Sequence, residues 1–159
     1  MEDKAKTGGG RYIGPSGKSG YHIIFKSNGT FDVYMVDTTT SYWGYTVADG
    51  WQTENNVIKT QHLVGNYPIP SSCSVIYVED KVWLEGVVAG KVTIAAADVD
   101  TPGNDPSMIL NNNITYANSN SGLLAIAESD MLVGFSVPND MTLNGIFIAQ
   151  NGRFGRNYY

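Results

Sequence analysis

Residues 75–97 read VIYVEDKVWLEGVVAGKVTIAAA, and their pattern recurs downstream. Val82-Trp83-Leu84-Glu85-Gly86-Val87 is echoed by Met141-Thr142-Leu143-Asn144-Gly145-Ile146, with Met108-Ile109-Leu110-Asn111-Asn112-Asn113-Ile114 as a looser copy. A second unit runs Val92-Thr93-Ile94-Ala95-Ala96, then Leu124-Ala125-Ile126-Ala127-Glu128, then Phe147-Ile148-Ala149-Gln150. Ile94 and Ile126 lie 32 residues apart, Ile126 and Ile148 only 22. Constant strand-like units at unequal spacing suit stacked strands whose turns vary freely in length. Each unit offers an apolar face that only a neighbouring unit can bury. Asn111, Asn112, Asn113, Asn144 and Asn151 suit tight bends and side-chain ladders between such units. The expectation for residues 75–159 is a short right-handed parallel β-helix, a solenoid, preferred over a β-sandwich whose strands resemble one another by chance.

Upstream, Tyr21 to Val36 alternates apolar and polar residues on either side of Ser27-Asn28-Gly29-Thr30. Asn-Gly between alternating runs is a strong hairpin signal, read here as a type I′ turn in which both residues take positive φ. Residues 38–51, TTTSYWGYTVADGW, crowd four aromatics among turn formers. Gly65-Asn66-Tyr67-Pro68-Ile69-Pro70 is barred from helix, because each proline drives its predecessor to extended geometry. The chain therefore divides into a flexible tail (1–20), a hairpin with an irregular aromatic cap region (21–74) and the solenoid (75–159). The overall class is all-β, with an N-terminal antiparallel hairpin and an aromatic cap.

Composition agrees with β structure. Charged residues are 16% of the chain against about a quarter in ordinary domains, while Gly (18) and Tyr (10) are frequent. A net charge of −5 argues against nucleic acid, whose binding needs clustered cations; the one basic cluster, Arg153 and Arg156, sits among C-terminal aromatics. A single cysteine, Cys73, allows no internal disulfide, and no adjacent base activates it. No run approaches the ~20 apolar residues of a membrane span. Membrane anchoring would need a segment outside this sequence.

The series VIYVEDKVWLEGVVAGKVTIAAA, NNNITYAN, LLAIAESDMLVG and MTLNGIFIAQNGRFGRNYY resembles a domain of PilX-like, type IV pilus-assembly associated proteins of candidate-phylum bacteria. The resemblance spans roughly residues 60–159. It implies an extracytoplasmic β-solenoid, in the cell envelope or secreted, and supplies no catalytic residue. In that group a pilin-like membrane helix typically precedes the domain, and this sequence departs in lacking one.

Candidate sites are few. Glu79, Asp80 and Glu85 surround Val82-Trp83 and could supply the acid and base of a glycosidase, although a solvated face paired with Lys81 is the simpler reading. Asp98, Asp100 and Asp105, in the turn-rich DVDTPGNDP, are a weak calcium candidate whose spacing fits neither an EF-hand nor a β-roll repeat. His22 and His62 belong to no metal or triad motif. Gly17-Lys18-Ser19 lacks the first glycine of a phosphate loop, since position 12 is Tyr12. Tyr42, Trp43, Tyr45 and Trp51 are the ligand or partner face, able to stack on sugars or proteins or else to cap a strand stack.

The expected function is a non-enzymatic structural or adhesive cell-surface module, pilus-associated on the resemblance, needing no cofactor. Its partners would be another protein or a second copy at the cell surface, or a glycan, with no nucleic acid. The alternative is a carbohydrate-binding or carbohydrate-cleaving β-helix.

Overall fold

The computed structural model describes residues 1–159. One short helix, α1 (Glu2–Lys6), precedes twelve strands. These are β1 (Arg11–Ile13), β2 (Tyr21–Phe25), β3 (Thr30–Thr46), β4 (Gly50–Pro68), β5 (Val75–Val78), β6 (Val82–Val88), β7 (Lys91–Ala96), β8 (Met108–Tyr116), β9 (Gly122–Ala127), β10 (Met131–Val133), β11 (Ile146–Ala149) and β12 (Phe154–Gly155). They form two sheets. One has the order β1-β5-β7-β9-β11 and is wholly parallel. The other has the order β12-β10-β8-β6-β2-β3-β4 and is mixed, with β2-β3 and β3-β4 antiparallel. Successive strands from β5 onward alternate between the sheets.

The expected right-handed parallel β-helix with a separate hairpin and cap is thus corrected. The repeated units are strands: Val92–Ala96, Leu124–Ala127 and Phe147–Ala149 lie side by side in the parallel sheet. The architecture, however, is two sheets, one of them of mixed orientation, and not a solenoid. The hairpin read as an appendage is an integral part of the mixed sheet, because β2 pairs with β6 on one edge and with β3 on the other. Residues read as a flexible tail contain α1 and β1, with Ala5 buried and β1 paired to β5.

Alternation fixes which side chains fill the space between the sheets. Tyr21, Ile23 and Phe25 of β2, Val82 and Leu84 of β6, and Met108 and Leu110 of β8 join Ile76, Val78, Val92, Ile94, Ala96, Ala125 and Ala127 of the parallel sheet in one core. Burying each large member contributes about 1.5–3 kcal/mol. The turn between β2 and β3 differs from the expected type I′. Lys26 C=O accepts from Gly29 N–H at 3.1 Å, Lys26 N–H donates to Thr30 C=O at 2.9 Å, and only Gly29 has positive φ, at 81°. That is a type I turn closed by a glycine bulge, which leaves Asn28 free to accept from Thr30 N–H through its side chain at 3.1 Å.

The aromatic segment is neither loop nor cap. β3 and β4 form one long hairpin arm with breaks of register at Val33/Tyr34, Val36/Thr38, Thr38/Thr39 and Thr40/Tyr42. Bulges of this kind bend a ribbon and increase its twist. The arm lies against the outer face of the mixed sheet, where Ile58 packs on Val36, Trp83, Ile109 and Leu132. Trp83, fully buried, donates its indole N–H to Asn56 C=O at 2.7 Å.

Candidate functional site

The far end of the arm meets the C-terminus of the chain. Tyr45 and Tyr158 exchange both backbone hydrogen bonds, at 2.8 and 3.1 Å, in an antiparallel bridge. Behind it, the buried Asn157 amide donates to Glu54 Oε1 at 2.5 Å and its carbonyl oxygen accepts from the Arg153 guanidinium. Tyr42 stacks on Phe135 at 4.6 Å between centroids, and Tyr159 meets both rings edge-on, at 5.2 Å from Tyr42 and 4.3 Å from Phe135. Burial, reinforced by the Tyr159 hydroxyl, pushes the Tyr42 phenol well above its usual range.

This clasp frames an open cleft of about 800 Å³. Its walls include Tyr45, Val47, Trp51, Tyr158, Arg153 and Arg156. Tyr45 and Trp51 are directly opposed across β3 and β4, with ring centroids 5.5 Å apart, and Trp51 meets Tyr158 at 6.5 Å. Three neighbouring backbone segments therefore present three aromatic rings in a row. All are open to solvent, with Trp51 55% and Tyr158 70% exposed. No carboxylate lines the cleft. The nearby Glu54 is engaged behind the bridge by Asn157 and by Asn56 at 2.8 Å. The charged groups on the cleft wall are thus the two guanidinium groups, with Asp49 in the neighbouring turn accepting from the Thr46 hydroxyl at 3.1 Å.

Of the four aromatics expected to form a ligand or partner face, Tyr45 and Trp51 line the cleft. Tyr42 turns inward into the clasp, and Trp43, 64% exposed, sits on the arm opposite Thr53. Arg153, Arg156 and Tyr158 were not placed at a site by the sequence, although two arginines among C-terminal aromatics were the available signal. Nothing in local spacing brings residues 153–158 to residues 45–51; only the long arm does.

The carboxylates read as a glycosidase pair are apart and occupied. Glu79 is buried, accepts from the Tyr12 hydroxyl and lies 3.6 Å from Lys6 Nζ. Its hydrogen bond, with burial next, raises the Tyr12 phenol. Asp80 accepts from Ser16 N–H at 2.9 Å, Ser16 Oγ at 2.5 Å and Lys81 N–H at 2.8 Å, which also accounts for Gly17-Lys18-Ser19 as a tied loop. Glu85 faces His22 Nε2 at 2.6 Å, while His22 Nδ1 faces Gln61 Oε1 at 2.9 Å. Burial acts to raise the Glu85 carboxyl, but the His22 hydrogen bond and charge outweigh it, and the group titrates below its ordinary value.

The calcium candidates do not converge either. Asp98 is buried and holds the Asn104 amide at 2.6 Å. Asp100 instead joins Glu2 and Glu79, whose carboxylate oxygens lie within 4.8 Å of one another, beside the Lys6 ammonium that pairs with both glutamates. His62 pairs with Asp37 at 2.8 Å on the surface, and Cys73 is half-buried. No helix is long and apolar enough to cross a membrane. Comparison with protein-family models, with curated proteins and with solved structures returned no match, to the PilX-like group or to any other.

Proposed function

We propose that this protein is a non-enzymatic adhesive module that grips its ligand at the tip of the β3–β4 arm. The observation that carries the reading is the exposed row Tyr45, Trp51 and Tyr158 beside Arg153 and Arg156. Aromatic rings offer large, rigid contact area at low entropic cost, and arginine adds planar hydrogen-bond donors suited to carboxylates. An acidic saccharide fits both. A carbohydrate-cleaving role lacks support, because Glu79, Asp80 and Glu85 are engaged elsewhere and none borders the cleft.

Acidic and neutral oligosaccharides screened on an array against the intact chain and its Trp51→Ala and Arg156→Ala variants test the proposal. Acidic glycans should be retained by the intact chain and weakened about tenfold or more by Trp51→Ala, as expected for a stacking anchor. No retained glycan, or one indifferent to both substitutions, removes the reading.

A further inference from the structure

Neither guanidinium of the cleft wall forms an ion pair, and the two are held differently. Arg156 is exposed. Its guanidinium lies 5.7 Å from the centre of the Tyr159 ring and makes one long contact, 3.4 Å, to the Phe135 carbonyl. Arg153 is half-buried and fixed at both backbone and guanidinium. Its N–H donates to Asp130 Oδ1 at 2.8 Å, and its carbonyl accepts from Met131 N–H at 3.0 Å. The guanidinium donates through Nη2 to Asn157 Oδ1, and Nη1 lies over Gly155, where an added Cβ would meet it at 3.2 Å. The buried Asn157 in turn donates through Nδ2 to Glu54 Oε1 at 2.5 Å. A carboxylate only accepts and a guanidinium only donates, and an amide between them serves both at once. Being neutral, it passes orientation from Glu54 to Arg153 without pairing the charge. A direct Glu54–Arg153 contact would orient the guanidinium equally well but would neutralise it.

We infer that Arg153, held by the Glu54–Asn157 relay, reads the anionic group of the ligand, an inference that rests on the acidic-saccharide reading of this cleft. With one donor engaged by Asn157, the guanidinium keeps others for a group that presents two oxygens, a carboxylate or a sulfate. A pre-oriented guanidinium loses less freedom on binding than the exposed Arg156 does. Arg153 therefore sets the preference for acidic over neutral ligands, Asn157 is its positioning residue, and Arg156 adds a smaller share.

The test is binding, by the intact chain and its variants, of uronate oligosaccharides with their methyl esters and of sulfated oligosaccharides with their desulfated parents. The quantity read is the ratio of affinities within each pair, and the pair with the larger ratio tells a carboxylate ligand from a sulfate one. The intact chain should prefer the acidic member about tenfold or more. Arg153→Gln should abolish that preference, and Arg156→Gln should lower it less. Asn157→Ala should lower it with Arg153 still present, weakening the acidic ligand more than the neutral one; a purely structural role would weaken both alike. If circular dichroism shows that Asn157→Ala disturbs the fold, the double exchange Glu54→Gln/Asn157→Asp carries the comparison. It keeps the hydrogen bonds, with the one between residues 54 and 157 reversed, but sets the carboxylate directly on the guanidinium, and the preference should fall. Equal losses in the two arginine variants overturn the inference, as does a preference that the relay variants leave intact. Ligands bound without preference overturn it and leave the aromatic anchor standing. No binding at all overturns it together with the reading it rests on.

Discussion

Glu85 and His22 illustrate how single residues of the mixed sheet are committed to structure. They are neighbours across the parallel pair β2-β6, where His22 is opposite Trp83 and Ile24 opposite Glu85. Because the folded Glu85 carboxyl is held below its ordinary 4.5, the folded state binds a proton there less readily than the unfolded chain. The stability this contributes is fully present above about pH 4.5 and is lost as pH falls through the folded value. Glu85→Gln should therefore be less stable than the parent at neutral pH, and the gap should close as the solution is acidified below pH 4.5. Urea midpoints of both proteins measured across that range would read it; a gap that stays constant counts against the pair. None of this was legible in the sequence, where Glu85 is a carboxylate in an acidic patch and His22 an isolated histidine, 63 positions away. Only the β2-β6 pairing makes them partners.

At the scale of elements, the strands were easier to read than their company. Alternation at Tyr21–Phe25 and the copies at residues 82–87, 92–96 and 124–127 mark strands correctly, since the sequence pattern of a strand is a local property, although burial alternates cleanly only in β9. Their assignment to two sheets is not local, and the equal apolar faces of β2 and β6 gave no sign that they would be adjacent. The arm was the largest surprise. Thr38 to Trp51 carries both strand formers and turn formers, and its strand character emerges because β3 and β4 pair from Thr30–Pro68 to Thr46–Gly50, interrupted only at the breaks of register. Trp83 is one of the fastenings that hold the arm to the sheet, beside Ile58 and the clasp at the arm tip. Trp83→Phe removes the indole donor and strands the Asn56 carbonyl, at a cost of about 1–3 kcal/mol. Hydrogen exchange should quicken in residues 54–60 more than in β6 itself; protection unchanged in the arm would mean that Ile58 and its neighbours suffice to hold it.

The whole molecule is knitted by contacts between distant parts of the chain: β2 with β6, and Tyr45 with Tyr158. Such topology is slow to form, because loop closure precedes the pairing that rewards it, and folding in milliseconds to seconds or longer is expected. Unfolding should be a single transition, with circular dichroism and tryptophan fluorescence coincident. An earlier fluorescence change would instead mean that the arm, which carries Trp43 and Trp51, detaches by itself. The bridge at the arm tip has a mechanical corollary. A tensile force on Tyr159 loads the two bonds to Tyr45 end-on, one after the other, like opening a zipper. The same force also loads the packing of Tyr159 on Tyr42 and Phe135 and the Asn157–Glu54 hydrogen bond, and it passes through Tyr45 into β3. Pulled at Tyr159, the arm and the sheet therefore share the load, and the arm tip acts as a buckle, not as slack.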